Sequence, residues 1–201
     1  MFTDDTAGLP RKPDWVIHHL PKWKLSHLKA WWYKIEIFNP AQKLPQGRNL
    51  YVDLDVIVTG DLKDMWTYSA HDFVMCQDFN RAFIKDFAHG NSSVMSWTND
   101  DYAWMHLDFT KNMETIIRKH RGDQDYINEK VTQRSWFPRE WAMSYRWEVF
   151  RGGHKDGRSS QYVLDEPVSV IPDDCKLVVF HGSPKPHEMT ERKLMDLWGR
   201  P

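Results

Sequence analysis

Two aspartates interrupt an apolar run in the segment Asn49-Leu50-Tyr51-Val52-Asp53-Leu54-Asp55-Val56-Ile57-Val58. Residues two apart on a strand point to the same side, so Asp53 and Asp55 are expected to share a face. Apolar neighbours on both faces are typical of a strand that is buried in a sheet. Two like charges in such a place repel each other unless a cation lies between them.

A second interpretation of this segment is that the strand ends at Val52 and the two aspartates lie in a solvated turn. The continuation into Val56-Ile57-Val58 favours a single strand instead. Paired carboxylates bracketed by hydrophobic runs are a recurrent device for holding a divalent cation. The segment therefore predicts a metal site at Asp53 and Asp55.

Length and charge exclude several classes of protein. A chain of 201 residues is expected to form one domain over residues 1–201, with a substantial core. A formal net charge of −1 gives no electrostatic reason to expect nucleic acid as a partner. The apolar stretches are too short for a transmembrane segment.

The first residues and the two cysteines indicate the compartment. Residues 1–5 begin acidic and lack the apolar core of a signal peptide. Cys76 and Cys175 have no metal-ligand spacing and are expected to be free thiols in a reducing environment. We therefore expect a cytoplasmic protein. The eleven tryptophans are expected to be mainly core residues. An alternative function, as a structural module that binds a partner through tryptophan-rich surfaces, is supported only by the number of tryptophans.

Hydrophobic periodicity predicts alternating helices and strands, the pattern of a layered α/β sheet. Helices are expected over residues 27–38, 61–66, 102–109, 111–120, 122–131 and 188–198. Strands are expected over residues 15–18, 49–58, 73–76, 93–97, 168–171 and 176–180, and a loop over residues 151–160.

The second motif is Leu177-Val178-Val179-Phe180-His181-Gly182-Ser183-Pro184-Lys185-Pro186-His187, an apolar strand that ends in a histidine. A histidine at the end of a strand is often only structural. As a third ligand beside the two aspartates, His181 would complete a site suited to Mn²⁺. Lys185, in the following turn, could meet a phosphate as a point charge.

Five segments together resemble the glycogenin-like, family-8-type glycosyltransferases. The aspartate pair and the His-Gly-x-x-Lys-Pro segment look like two motifs of that family. The other three segments appear between or before them in the order that the family has. All five are Trp32–Glu36, Tyr51–Asp55, His89–Met95, Gly122–Asn128 and Phe180–Pro186.

The resemblance implies a GT-A-type fold, with a mixed central sheet flanked by helices. It also implies transfer of a sugar from a nucleotide diphosphate, with a UDP-sugar favoured, to a saccharide or other acceptor. Asp53, Asp55 and His181 would hold Mn²⁺ or Mg²⁺. The implied substrate-binding residues are Lys34, Asn91, Ser92, Gln124, Gly182 and Lys185.

Retention of anomeric configuration is implied as well, with Asp123 or Asp125 as candidate nucleophiles. A front-face reaction, in which the departing phosphate deprotonates the acceptor, would need neither aspartate. The residues themselves leave a further interpretation open, because Asp123-Gln124-Asp125 could simply cap a helix.

Relative to the family, the chain is expected to lack the first βα unit, which helps to hold the nucleotide base. A catalytically impaired sugar- or nucleotide-binding protein is therefore an alternative. Another is a haloacid-dehalogenase-like phosphatase, with Asp53 as nucleophile and Asp55 as acid. That alternative leaves His181 and Lys185 without a role.

Overall fold

The computed structural model describes residues 2–3, 16, 18–21, 23, 28–44, 47–69, 72–98, 101–149 and 171–199. The predicted loop over residues 151–160 and most of the predicted strand over residues 168–171 lie outside the described residues. The chain divides into two compact units, Met1–Gln46 with Asn99–Lys130 and Gly47–Thr98 with Val131–Pro201. The single domain expected over residues 1–201 stays a prediction.

The chain contains both strands and α-helices, as the sequence predicts, but they do not alternate strictly. The strands are β1 (Phe2–Thr3), β2 (His18–His19), β3 (Arg48–Val52), β4 (Val56–Val58), β5 (Val74–Gln77), β6 (Gly90–Thr98), β7 (Ser135–Trp136), β8 (Ala142–Ser144) and β9 (Leu177–Val179). The α-helices are α1 (Lys63–Thr67), α2 (Ala103–Lys119), α3 (Asp123–Lys130) and α4 (Arg192–Leu197).

Shorter helical turns lie between these elements. The 3₁₀ helices are Ala30–Phe38, Pro40–Gln42, Phe79–Ala82, Arg139–Trp141 and Pro186–Glu188, and Tyr145–Val149 forms a π-helix. The helix predicted over residues 27–38 is therefore present, but as a 3₁₀ helix. It ends at Asn39, whose side chain accepts a hydrogen bond from the amide of Ala41 at 2.9 Å.

In the first unit, β1 and β2 pair in parallel. The core is aromatic: the ring of Phe109 stacks on Trp32 with 5.3 Å between centroids and lies 6.0 Å from Tyr126. All three side chains are buried. The two helices predicted over residues 102–109 and 111–120 form one helix, α2, with a kink at Asn112 where the backbone leaves helical φ and ψ.

The second unit holds a four-stranded sheet of order β3-β6-β5-β7. The long central strand β6 pairs antiparallel with both β3 and β5, whereas β5 and β7 are parallel. The register between β5 and β6 shifts between Met75 and Cys76. At the start of β6, a Cβ on Gly90 would lie 2.3 Å from the sulfur of Met75, so a larger residue there would require the Met75 side chain to move.

A three-stranded sheet of order β4-β9-β8 completes the second unit. Alternate residues of β9 face opposite sides of this sheet, as the period of a strand requires. Leu177 and Val179 join one buried apolar cluster, and Val178 joins another together with Phe180. The sheet is therefore buried on both faces, which explains the continuous apolar runs in the sequence.

The predicted single strand over residues 49–58 is wrong. The chain leaves one sheet at Val52 and enters the other at Val56, with a turn at Leu54 and Asp55. The two halves separate because they pair with different partners, β3 with β6 and β4 with β9. Leu54 is 89 % exposed and points away from the protein. The alternative in which the aspartates lie in a turn is the one observed.

Two smaller predictions concern cysteines and membrane helices. Cys76 and Cys175 are both buried, free thiols, which confirms the expectation that they do not form a disulfide. Burial raises the pKa of Cys76 to about 12, so this thiol is not reactive at neutral pH. Among the described residues, no helix is long and apolar enough to cross a membrane.

Candidate active site

The turn between β3 and β4 is held at both ends by backbone hydrogen bonds. The amide of Asp53 donates to the carbonyl of Ser93 on β6 at 2.9 Å. The amide of Phe180, just after β9, donates to the carbonyl of Asp55 at 2.9 Å. The two carboxylates are therefore carried by a segment that is fixed to both sheets of the second unit.

Each of the two carboxylates contacts a different side chain. Tyr51 lies two residues earlier, on β3, and its hydroxyl donates a hydrogen bond to Asp53 Oδ1 at 2.5 Å. The ammonium of Lys185 lies 2.7 Å from Asp55 Oδ2. These two residues are 130 positions apart in sequence, and the structure brings the two motifs together through this contact, which the sequence did not predict.

Lys185 is placed by the 3₁₀ helix Pro186–Glu188 that follows it. Its backbone amide donates to Glu188 Oε2 at 2.8 Å, and its carbonyl accepts from the amide of Glu188 at 2.8 Å. The backbone of Lys185 is thus restrained, while its side chain is 42 % exposed. The ammonium can reach both Asp55 and a ligand that arrives from solvent.

His181 follows β9 and lies against aromatic and hydroxyl groups. Its ring stacks on Phe79 with 5.0 Å between centroids and 8° between planes. Its Nε2 atom lies 2.6 Å from Ser144 Oγ. Burial, and then the positive charges of Arg146 and Lys185, lower the pKa of His181 to about 3. The imidazole is therefore neutral at neutral pH, the form in which histidine binds a metal.

The sequence did not reveal the residues that support His181. Ser144 Oγ accepts a hydrogen bond from the amide of Trp147 at 3.0 Å, and the Ser144 amide donates to Glu148 Oε2 at 2.8 Å. Glu148 is buried against Arg81, with 3.0 Å between Arg81 Nε and Glu148 Oε1. Arg81 and Glu148 are 67 residues apart, so no local pattern could have found this pair.

The backbone conformation of Gly182 favours glycine, and a neighbouring side chain lies close to it. Its φ is +72°, in the region that favours glycine, and a Cβ there would lie 2.9 Å from Arg146 Nη1. The predicted contact of Gly182 with substrate is not tested by this geometry. The geometry does explain why glycine follows His181.

The three predicted metal ligands do not form a metal-binding group as they stand. Among the described residues, no three histidine, cysteine, aspartate or glutamate side chains are grouped closely enough to hold a metal ion. Asp55 faces Lys185, and His181 Nε2 faces Ser144. Two carboxylates and a neutral imidazole are nevertheless a donor set that Mn²⁺ accepts, so the metal site stays a prediction.

Asn91 and Ser92 lie at the start of β6 and are buried. Asn91 Oδ1 accepts a hydrogen bond from the amide of Ser93 at 2.9 Å. This contact ties the side chain to its own strand beside the irregular register between β5 and β6. The structure therefore gives Asn91 a local structural role, and a contact with a sugar remains a prediction.

The remaining predicted residues belong to the first unit. Lys34, on the 3₁₀ helix Ala30–Phe38, forms a buried ion pair with Asp123 at the start of α3, with 3.5 Å between Nζ and Oδ2. Asp125 contacts Arg121, with 2.8 Å between Oδ2 and Nε. Both aspartates lie in the first turn of α3, where negative charge favours a helix. Both aspartates therefore lie at the start of a helix, as in the interpretation that they cap it. A catalytic role for either aspartate stays a prediction.

Gln124 lies between these two aspartates in the first turn of α3. Its backbone carbonyl accepts a hydrogen bond from Asn128 Nδ2 at 2.8 Å. That contact belongs to the helix and does not test the predicted role of the Gln124 side chain.

The chain has the fold of known glycosyltransferases. It is similar to the glycosyltransferase GlyE of Streptococcus pneumoniae TIGR4, with a TM-score of 0.60 and 18 % identity. The likeness covers 90 % of this chain and 45 % of GlyE, so this chain spans less than half the length of that protein. The apo form of GlyE gives a TM-score of 0.57 over the same shares of both chains.

A second likeness is to an active-site mutant of LgtC, with a TM-score of 0.56 and 13 % identity. It covers 91 % of this chain and 75 % of LgtC. No protein-family model matches the chain, and no curated protein matches it. The prediction of a mixed α/β fold of the GT-A type is therefore confirmed at the level of fold.

Proposed function

We propose that this chain is a metal-dependent glycosyltransferase that moves a sugar from a nucleotide diphosphate to a saccharide or other acceptor. The observation that carries the proposal is the Lys185–Asp55 contact, because it joins the two motifs on which the family resemblance rests. The fold likeness to glycosyltransferases supports the same conclusion. By resemblance, the favoured donor is a UDP-sugar.

Departure of a nucleoside diphosphate requires that its growing negative charge be neutralised. Lys185 supplies a mobile ammonium for this purpose, since its side chain is partly exposed and its backbone is fixed. Gly182 keeps the backbone before Lys185 free of side-chain bulk, so that a phosphate could approach closely. His181 is neutral and therefore adds no charge to this site.

Metal dependence rests on the donor set of Asp53, Asp55 and His181. Bound Mn²⁺ or Mg²⁺ would act as a Lewis acid and as a template for the diphosphate oxygens. The two carboxylates are carried by a turn that backbone hydrogen bonds restrain, which favours a constant ligand geometry.

Retention, and a role for Asp123 or Asp125 in it, are proposed from the resemblance. Asp125→Asn is expected to lower kcat more than it weakens donor binding, as for a residue that acts in the transition state. Glu129→Gln, which removes an exposed carboxylate from the same helix, is the matched control. A loss confined to donor Kd would reject a role of Asp125 in the chemical step.

The fold favours the transferase over the phosphatase alternative, since the solved structures that it resembles are glycosyltransferases. A binding protein on the same fold differs from an enzyme only in turnover. The experiment must therefore measure binding and turnover separately.

The test is a panel of UDP-, GDP- and other nucleotide sugars, each with and without Mn²⁺. Thermal shift reports binding, and release of free nucleoside diphosphate reports turnover. We expect one nucleotide to stabilise the protein when Mn²⁺ is present and to be turned over. Stabilisation without turnover would support the binding protein, and no shift with any donor would reject the proposal.

A pair of lysine variants connects the result to the site. Lys185→Met should weaken donor binding, because it removes the charge proposed to meet the diphosphate. Lys193→Met removes the same charge from an exposed position on α4 and should behave as the native chain. Equal behaviour of the two variants would remove Lys185 from the donor site.

A further inference from the structure

We propose that Lys185 competes with the divalent cation for Asp55, so that the metal binds well only after a diphosphate has drawn Lys185 away. This inference rests on the proposed function and adds an order of binding to it. In this arrangement Lys185 has two successive partners, first the carboxylate of Asp55 and then the phosphate of the donor.

The geometry places the ammonium where a metal ion would have to bind. Lys185 Nζ lies 2.7 Å from Asp55 Oδ2, a direct charge-assisted hydrogen bond. The backbone carbonyl of Asp55 accepts a hydrogen bond from the amide of Phe180. The carboxylate is therefore the main group with which Asp55 can bind a metal ion. A cation that approaches Asp55 therefore meets a positive charge already in contact with its ligand.

The contact is also one that can be broken. Both side chains are partly exposed, 42 % for Lys185 and 33 % for Asp55, and exposed ion pairs contribute little net stability. The lysine side chain has a flexible four-carbon stem, whereas its backbone is held by Glu188. The ammonium can thus change partners while the rest of the turn stays in place.

Lys185 itself favours the diphosphate as the first ligand. Its ammonium, in contact with Asp55, attracts a diphosphate and repels a divalent cation that approaches the same carboxylate. Once the diphosphate engages Lys185, Asp55 is left with an unpaired negative charge, and the metal gains its ligand.

The coupling must be reciprocal. If nucleoside diphosphate raises the affinity for Mn²⁺, then Mn²⁺ raises the affinity for nucleoside diphosphate by the same factor. Direct contact between the two ligands also produces such coupling, so coupling alone does not identify competition by Lys185. The distinguishing quantity is the affinity for Mn²⁺ when no nucleotide is present.

The experiment measures Mn²⁺ binding to the whole chain by electron paramagnetic resonance of the free ion, with and without UDP. The native chain, Lys185→Met, Lys185→Arg and Arg146→Met are compared after circular dichroism has shown that each is folded. Without UDP, Lys185→Met should bind Mn²⁺ at least about fivefold tighter than the native chain. Lys185→Arg keeps a cation beside Asp55 and should bind as weakly as the native chain.

Arg146→Met removes a different cation, whose Nη1 would lie 2.9 Å from a Cβ on Gly182, so it tests general repulsion apart from the Lys185–Asp55 contact. Its gain in Mn²⁺ affinity should be clearly smaller than that of Lys185→Met. An equal gain would overturn direct competition. An unchanged or weaker affinity of Lys185→Met would overturn it as well.

The UDP titration of the native chain keeps the two failures apart. Suppose that the native protein binds Mn²⁺ in the presence of UDP, but that Lys185→Met shows no higher Mn²⁺ affinity than the native chain when UDP is absent. The competition is then rejected, and the metal-dependent transferase stands. If no variant binds Mn²⁺ under either condition, the metal site and the competition are both rejected.

Discussion

Two lysine–aspartate pairs, one in each unit, show how burial changes what an ion pair can do. Lys185 and Asp55 are 2.7 Å apart, with side chains 42 % and 33 % exposed. Lys34 and Asp123 are 3.5 Å apart, with side chains 10 % and 7 % exposed. Water can replace either partner in the first pair, whereas loss of one partner in the second leaves a charge in the interior. The exposed pair is suited to ligand exchange and the buried pair to holding structure.

The largest expected effect is that of Asp55→Asn on function. Removing the carboxylate of the exposed pair should abolish the thermal stabilisation that Mn²⁺ gives in the presence of the nucleotide, and lower sugar transfer by about 100-fold or more. Thermal shift and nucleotide release measure the two effects. An unchanged shift with Mn²⁺ would remove Asp55 from the metal site.

Lys34→Met should act on stability. It leaves Asp123 with a buried negative charge, which is expected to lower the free energy of unfolding by about 3 kcal/mol in urea denaturation. The double variant Lys34→Met with Asp123→Asn leaves no such charge and should recover much of the loss. If the single and double variants are equally unstable, the pair does not matter and packing alone explains the loss.

A third prediction concerns pH and a buried hydrogen-bonded carboxylate of the first unit, Glu36. His106 Nε2 lies 2.9 Å from Glu36 Oε1, and Asn39 donates to Glu36 Oε2 at 2.9 Å. Burial opposes ionisation of Glu36, but these hydrogen bonds and one from Gln42 outweigh it and lower its pKa.

The sign of the pH dependence follows from that lowered pKa. The unfolded chain binds a proton at Glu36 more readily than the folded chain does, so the contribution is present above the unfolded pKa. It is lost as pH falls through the folded pKa. Urea denaturation between neutral and acid pH should show this decline, and Glu36→Gln should make it shallower. A variant as acid-sensitive as the native chain would contradict the assignment.

The smallest expected effect is that of Lys185→Met on stability. Because the pair with Asp55 is exposed, the free energy of unfolding should change by less than about 1 kcal/mol. A loss as large as that of Lys34→Met would show that the exposed pair is a structural contact and would weaken its assignment to ligand exchange.

Much of the fold could be predicted from periodicity. The strands β5, β6 and β9, and the helices α2 and α3, lie where the apolar patterns indicate. The short helix α1 begins at Lys63, two residues after the predicted start at residue 61, and the carboxylate of Asp61 accepts the amide hydrogen of Lys63 at 2.9 Å. These predictions use only local sequence patterns. They are correct where the intrinsic secondary-structure propensity of a segment agrees with its burial in the fold.

The errors arose where the partner of a segment matters more than its own pattern. Residues 49–58 look continuous because both halves are apolar, yet the halves pair with β6 and β9 in different sheets. Likewise, nothing near Ser144 indicates that it contacts His181, or that Glu148 anchors its amide. These contacts depend on how the chain folds in three dimensions, and a single sequence does not show which side chains the fold brings into contact.

The sequence by itself determined the α/β class and the two motifs that carry Asp55 and Lys185. The paired aspartates led to the expectation of a metal, and the resemblance to glycosyltransferases led to that of a nucleotide sugar. The class and the motifs follow from residue type and spacing, which local chemistry constrains. Only the tertiary structure decided that the aspartates lie in a turn between two sheets, that Lys185 contacts Asp55, and that His181 is neutral against Ser144. The reason is physical: burial, neighbouring charge and hydrogen-bond partners are set by residues far apart in the chain.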